Sequence, residues 1–347
     1  MNKFHPLTIT SIARLTIDAV AISFDVSNNA LFQFEAGQYI TIKHEINGEE
    51  VRRAYSICST NAEGISIGVK KVESGRMSTF LTENLKLGDI LQVMPPSGNF
   101  IIKGENNKHI VGICAGSGVT PIISMIKTEL AKSSDTKFTL IYGNKTKDSS
   151  MFAEELHQLK INNSDRLKIH NAYSRQGVPG AISGRLDKNT IQQLLNTFIP
   201  LKTADAYFIC GPGELIDNTN ELLLLNNINQ KKINFERFSS VDKSDDNDND
   251  SDEIISNVIV SVDGEDFDFM LSNKGQTILD AAMEQGADAP FSCKGAVCCT
   301  CRAKVMEGSV TMDANYSLSE DEVSEGYVLG CQARPASAKV VIDFDEM

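Results

Sequence analysis

The sequence predicts three folded domains in one chain: an antiparallel β-barrel, an α/β domain with a parallel sheet, and a smaller α+β domain. Three observations carry this expectation. Residues 1–105 hold short apolar runs that alternate with polar residues, as in Ile65-Ser66-Ile67-Gly68-Val69. Residues 106–238 alternate strand-like with helix-like segments, the pattern of a sheet covered by helices. The remainder is set apart by a stretch without a single apolar side chain and by a group of cysteines. At 347 residues the chain exceeds what one hydrophobic core fills.

In the first domain, strands are expected over 7–12, 38–42, 54–58, 65–72 and 90–94, separated by turn residues. In the second, 109–114, 138–142, 168–172 and 206–209 are near-continuous apolar runs, as strands buried on both faces require. Helices are expected between them, over 121–130, 151–159 and 214–226. Residues 239–254 read as an acidic, self-repelling linker, because 242–253 can bury nothing. Its D-x-D-x-D pattern resembles a calcium loop but lacks the glycine at loop position 6 and the glutamate at position 12. The last domain, 255–347, opens with a hairpin over 258–262 and 267–271 and a helix over 277–285.

The net charge of −13 is unevenly placed. Residues 1–241 carry 23 acidic and 26 basic side chains, and residues 242–347 carry 23 acidic and 7 basic. Such asymmetry argues against nucleic acid and for docking of the acidic end to a basic protein surface, although solvation alone also accounts for it. No run of about 18 apolar residues suggests a membrane span. The first residues lack the apolar core of a secretory signal, and eight cysteines then read as reduced thiols or metal ligands. A cytoplasmic protein is expected.

Four of those cysteines carry the strongest local signal. Cys293, Cys298 and Cys301 read C-x4-C-x2-C, and Cys331 follows thirty residues later, which is the plant-type [2Fe–2S] spacing. A zinc site is the alternative, but the two-plus-two spacing of zinc ribbons is absent. Cys299 does not fit the ligand spacing and reads as a non-ligating neighbour. Cys58, Cys114 and Cys210 read by default as buried structural thiols. The five histidines fall in no catalytic or metal spacing.

Upstream, a buried strand runs into Gly116-Ser117-Gly118 and then Pro121. Glycines there let backbone approach a pyrophosphate at a helix N-terminus, or simply make a tight turn. The helix is expected to open at Pro121, where the missing N–H costs nothing. In the barrel, Arg53 can fork a phosphate while Tyr55 covers an aromatic ring, although Tyr55 alone suits a half-buried barrel position. Ser78 and Thr79, after Gly75, read as a helix cap or a second phosphate cradle.

In this order, Arg53-x-Tyr55-Ser56, Gly75-x-x-Ser78, Gly116-x-Gly118-x-x-Pro121, Cys210-Gly211-Pro212, Glu236-x-Phe238 and the cysteine loop span nearly the whole chain. Together they resemble the ferredoxin–NADP⁺ reductase superfamily fused to a C-terminal plant-type [2Fe–2S] ferredoxin of β-grasp fold. Arg53–Ser59, Tyr142-Gly143-Asn144, and Asp313-x-Asn315-Tyr316 with Gly326-Tyr327-Val328-Leu329 add a likeness to reductases serving oxygenases of aromatic acyl-CoA thioesters.

The resemblance implies an FAD site from Arg53, Tyr55, Ser56, Val69, Lys70, Gly75, Met77 and Ser78. It implies a nicotinamide site from Gly116, Ser117, Gly118, Thr120, Cys210, Gly211 and Pro212, with Glu236 and Phe238 bordering the flavin. Ser56, Cys210 and Glu236 would be the catalytic group. Ser174 and Arg175 stand where relatives grip a 2′-phosphate, which favours NADPH over NADH. The implied path runs from NADPH through FAD and the [2Fe–2S] cluster to an oxygenase docking on the acidic domain. Reductases of steroid, phenol or fatty-acyl oxygenases, or a passive ferredoxin carrier, are the other readings.

Overall fold

The alternating pattern of the first hundred residues folds as six antiparallel strands: β1 (His5–Thr16), β2 (Ala19–Phe24), β3 (Tyr39–Ile46), β4 (Glu49–Ser56), β5 (Ser66–Lys70) and β6 (Ile90–Val93). A computed structural model describes residues 3–27, 29–104, 108–199, 201, 203–238 and 253–346. The expected linker therefore falls, but for its last two residues, outside the described residues. The strand order is β4-β3-β6-β1-β2-β5, and a bridge between Ile57 and Ile67 joins the two ends into a barrel. Inward-facing Ile9, Ile22, Ile40, Ile42, Ile67 and Val69 fill it. Strand β2 is missing from the sequence expectation. Its hairpin turn, Ile17-Asp18, has no glycine, proline or asparagine, and Ile17 is 95% exposed.

The short helix α1 (Arg76–Thr79) starts from Gly75. The cap expectation for Ser78 is therefore wrong. Ser78 is the third helical residue, and its hydroxyl accepts from Val72 N at 3.1 Å and donates to Gly75 O at 3.2 Å. It braces its own turn.

Beyond the barrel come β7 (His109–Ala115), β8 (Lys137–Asn144), β9 (Leu167–Tyr173), β10 (Ile182–Ser183), β11 (Ala206–Gly211) and β12 (Ile233–Arg237). They form one parallel sheet in the order β10-β9-β8-β7-β11-β12. Helices α2 (Val119–Lys132), α3 (Ala153–Asn162), α4 (Lys188–Thr197) and α5 (Gly213–Leu225) accompany it. Helix α2 starts at Val119, two residues before the expected Pro121. Pro121 still costs no hydrogen bond, because the first four N–H groups of a helix have no internal partner. Helix α4, capped by Asp187 accepting from Thr190 N at 2.8 Å, and β12 are both absent from the expectation. The polar β12, Ile-Asn-Phe-Glu-Arg, becomes a strand by pairing with β11.

Barrel and sheet share one core: Ala19, Cys58 and Phe100 pack with Ile122, Met125 and Phe208. Ser124 Oγ donates to Ser59 O at 2.6 Å, and Lys127 bridges Glu63 and Glu155, each at 2.9 Å. Accordingly Met1–Phe238 is one compact unit and Ser239–Met347 a second.

In the second unit, β13 (Ile255–Val262), β14 (Glu265–Ser272), β15 (Arg302–Glu307), β17 (Tyr327–Leu329) and β19 (Lys339–Asp343) pair in the order β14-β13-β19-β15-β17. Strands β16 (Val310–Met312) and β18 (Ala333–Pro335) make a small separate pair. Helix α6 (Ile278–Glu284) buries Ile278, Leu279 and Ala282 against the sheet core of Val258, Val260 and Val340. Helix α7 (Glu320–Ser324) carries the acidic run Glu320-Asp321-Glu322. The cysteine loop fills the gap between α6 and β15, and Cys331 follows β17. Among the described residues, no helix is long and apolar enough to cross a membrane.

Candidate redox centres

Strand order reverses between β7 and β11: the chain runs from β7 outward to β10, then returns to β11 on the other side. Ligands of open parallel sheets bind at such a switch point, outside the strand C-termini. Strand register sets Tyr142, Cys114, Cys210 and Glu236 in a row across β8, β7, β11 and β12 at this edge. Just beyond the row lie the turn 116–118 and Gly211-Pro212.

The turn needs its glycines for two different reasons. Gly116 takes φ +57°, and Gly118 runs so close to β11 that a Cβ would stand 2.2 Å from Cys210 O. Tyr142, buried beneath, shares its hydroxyl between Gly116 O at 3.2 Å and Met151 O at 3.3 Å. Thr120 Oγ1 donates to Ser117 O at 2.9 Å. The start of α2 is thus held in place by side chains that look inward, and Val119 N closes the turn by donating to Gly116 O and Ser117 O.

The barrel supplies the opposite wall. Ser56, the last residue of β4, donates its hydroxyl to Glu236 Oε2 at 3.1 Å across 180 residues of sequence. Glu236 keeps some surface open at the crevice, but its carboxyl is surrounded by protein, and burial pushes it up to about 8. Burial also raises Cys210 well above the ordinary thiol range, and the neighbouring Glu236 carboxylate adds to this. Cys210 is therefore a neutral thiol, and Glu236 holds or yields a proton near physiological pH.

This has a measurable consequence for stability. The unfolded chain releases the Glu236 proton near the ordinary value of 4.5, the folded chain near 8. Between these values the folded state binds more protons, so stability falls as pH rises through the window. Glu236→Gln should flatten the decline of melting temperature from pH 5 to pH 8, read by calorimetry on the full chain. An unchanged slope would mean that Glu236 titrates normally.

The remaining implied flavin residues fall into two groups. Arg53 is exposed on β4, and its guanidinium contacts Arg52 O at 2.7 Å. Among the described residues it has no carboxylate partner, which leaves its fork for a phosphate. Tyr55, two residues on, is half-buried against the barrel core, and burial raises its phenol well above the usual range. The side chains of Val69 and Met77, by contrast, lie inside the barrel core, so these residues can offer a ligand their backbone alone. Lys70 is engaged by Asp18 at 3.3 Å and Ser149 O at 3.2 Å. At Gly75 a Cβ would stand 2.5 Å from Ser78 Oγ, so a side chain there would displace the hydroxyl that braces the turn. An arginine without a carboxylate, a polar hydroxyl at the strand end and a glycine turn suit a dinucleotide's phosphates and ring.

Ser174 and Arg175 are exposed just after β9, two strands from β7. Arg175 N donates to Lys145 O at 2.8 Å, which sets two cationic residues side by side beyond β8 and β9. Phe238 follows β12 and is 43% exposed.

In the second unit the four thiols meet in two pairs. Cys298 Sγ lies 3.2 Å from Cys293 Sγ, and Cys301 lies beside Cys331. Cys293 is drawn below the ordinary thiol range, first by the Cys298 thiol and then by loop amides including Gly295 N at 3.3 Å. Positive φ at Lys294 and Ala296 curls the loop so that these amides point inward. Ser292 Oγ, buried beside Cys293, has no partner among the described residues. Two such thiol pairs in one loop region would suit an iron–sulfur cluster held by four thiolates. Cys299 donates to Ser317 O at 3.2 Å, and Tyr316 N donates to Ala296 O at 3.1 Å. Segment 313–318 thus buttresses the loop, a role its sequence did not announce.

Comparison with known proteins follows the same division. Residues 6–102 match the oxidoreductase FAD-binding domain, 113–221 the oxidoreductase NAD-binding domain, and 260–336 the 2Fe-2S iron-sulfur cluster binding domain. The chain is 39% identical to one of the subunits of the 1,2-phenylacetyl-CoA epoxidase of Escherichia coli K12, over 99% of each chain. It is 31% identical to the ferredoxin reductase component of 3-ketosteroid-9-alpha-monooxygenase of Rhodococcus rhodochrous, over 97% of this chain and 96% of that one. Phthalate dioxygenase reductase shares the fold, with a TM-score of 0.62 and 23% identity over 98% of both chains.

Proposed function

Because the chain belongs to the family of oxygenase reductases that join FAD-binding, NAD-binding and 2Fe-2S domains, we propose that it takes electrons from NADPH and delivers them to a phenylacetyl-CoA epoxidase. The full-length identity with the Escherichia coli epoxidase component carries this reading. A steroid or other oxygenase as partner is the second reading, supported by the more distant Rhodococcus relative.

When bound, FAD converts the hydride's electron pair into single electrons, which a [2Fe–2S] centre carries one at a time. The chain's own residues bind, orient and hold protons. Arg53, Gly75 and Ser78 would secure the flavin phosphates, with Tyr55 against its ring and the backbone of Val69 and Lys70 beside it. The turn 116–118, Thr120 and 210–212 would place the nicotinamide against it. Ser56 and Glu236 form a hydroxyl–carboxyl pair that can supply or take a proton at the flavin, and Phe238 would cover the face where the nicotinamide arrives. Cys293, Cys298, Cys301 and Cys331 would hold the cluster.

NADPH is favoured over NADH because neither β8 nor β9 runs into a carboxylate where a ribose 2′-hydroxyl would be gripped. Lys145 and Arg175 stand there instead. The acidic charge of residues 242–347 supports docking of the oxygenase on the ferredoxin domain in the cytoplasm. Arg175→Ala should lower kcat/KM for NADPH by roughly tenfold while leaving NADH within about twofold, since one charge-assisted hydrogen-bond pair is lost. An equal loss for both nucleotides would remove Arg175 from the site. Anaerobic NADPH should bleach the flavin, and reconstitution with epoxidase or steroid oxygenase components should separate the two partner readings.

A further inference from the structure

Gln332 directly follows the fourth thiol and is buried, with 3% of its surface exposed. Its Nε2 is surrounded by acceptors: Cys331 O at 2.7 Å, Cys331 Sγ at 3.5 Å and Lys294 O at 3.5 Å. Two carbonyls and a metal-binding sulfur call for donors, so the amide must present its NH₂ end to them. A flipped amide would set its oxygen against the carbonyls. The backbone fixes this placement, because Gln332 N donates to Leu329 O at 2.8 Å and Asp313 N to Gln332 O at 3.0 Å.

An amide so placed does two things. It links the turn after β17 to Lys294, the neighbour of the first thiol, 38 residues earlier. It also directs an N–H at a ligand sulfur. Reduction of an iron–sulfur centre adds negative charge that its thiolates share, and a donor to sulfur stabilises that charge. The geometry points to Gln332 as a positioning residue that raises the reduction potential of the centre through the Cys331 sulfur. This rests on the four cysteines being cluster ligands, and it adds a determinant outside the ligand set.

The test uses the full holo chain, with iron content, visible absorption and an EPR-monitored redox titration. Gln332→Met keeps the length and removes the donor. It should load iron as the parent does and shift the oxidised-to-reduced ratio about tenfold toward oxidised at a given ambient potential, about 59 mV for one electron. Gln332→Glu keeps the shape but turns an acceptor toward the sulfur, and it should lower the potential at least as far. Parental potentials in both variants, within about twofold in that ratio, would overturn the inference, as would iron loss from both, which would leave Gln332 a purely structural anchor. A parent chain that binds no iron would instead sink the cluster assignment itself.

Discussion

Cys301→Ala should leave a chain whose flavin is still reduced by a nicotinamide nucleotide but which passes almost nothing onward. Cys301 is 1% exposed, stands at the head of β15, and is tied to the segment before Cys331 by Gly330 N donating to Cys301 O at 2.8 Å. Its removal would leave Cys331 without the thiol beside it, and the proposed cluster without one of its four ligands. Iron should fall from two atoms per chain to near none. Cytochrome c reduction, which draws on the iron–sulfur centre, should fall by about a hundredfold or more, since even outer-shell changes reach that range. Ferricyanide reduction, which draws on the flavin, should stay within about twofold, because Met1–Phe238 builds its own core. Retained iron and cytochrome c activity would mean that Cys299 had left Ser317 O and moved into the vacant place.

Gly118→Ala should damage the other half of the chain. Its Cβ would stand 2.2 Å from Cys210 O, 2.6 Å from Cys210 C and 2.9 Å from Gly211 N, all of them backbone atoms. No flexible side chain can yield, so β7 and β11 must separate at the switch point. Overpacking of this kind costs about 3 kcal/mol, which for a domain this large lowers the melting temperature by roughly 6–12 °C. A displacement near 1 Å of the nicotinamide site should slow hydride transfer about a hundredfold, read by stopped-flow flavin bleaching. Gly116→Ala is the control. Nothing lies within 4 Å of its added Cβ, so it meets only the cost of a left-handed backbone, about 1–2 kcal/mol. Equal effects of the two substitutions would refute the close-approach argument.

Much of this architecture was legible because its signals are local. A barrel strand alternates with period two, a parallel strand is apolar throughout, and a cluster loop writes its ligands at fixed spacing. The expectation failed where the local signal was weak or where pairing overrode it. Strand β2 was hidden by a turn without turn residues, β12 by its polar sequence, and Ser78 was mistaken for a cap because its hydroxyl serves the turn instead of the helix end. The side chains of Val69 and Met77 belong to the barrel core, so that any part they take in a flavin site falls to their backbone, which spacing along the chain does not reveal.

By itself the sequence determined the family, the order of the three domains, the four thiols and the glycine turn, since each is set by residues a few positions apart. Tertiary structure alone decided what those residues can do. Ser56 and Glu236 meet across 180 residues, and the carboxyl is held near 8 by burial that no local motif encodes. Gly118 is indispensable because of β11, not because of its own turn. The amide of Gln332 is turned toward sulfur because a carbonyl from the distant cluster loop stands beside it. Spacing along a chain specifies which groups can reach one ligand, whereas protonation, clearance and hydrogen-bond direction depend on what remote segments exclude or bring near.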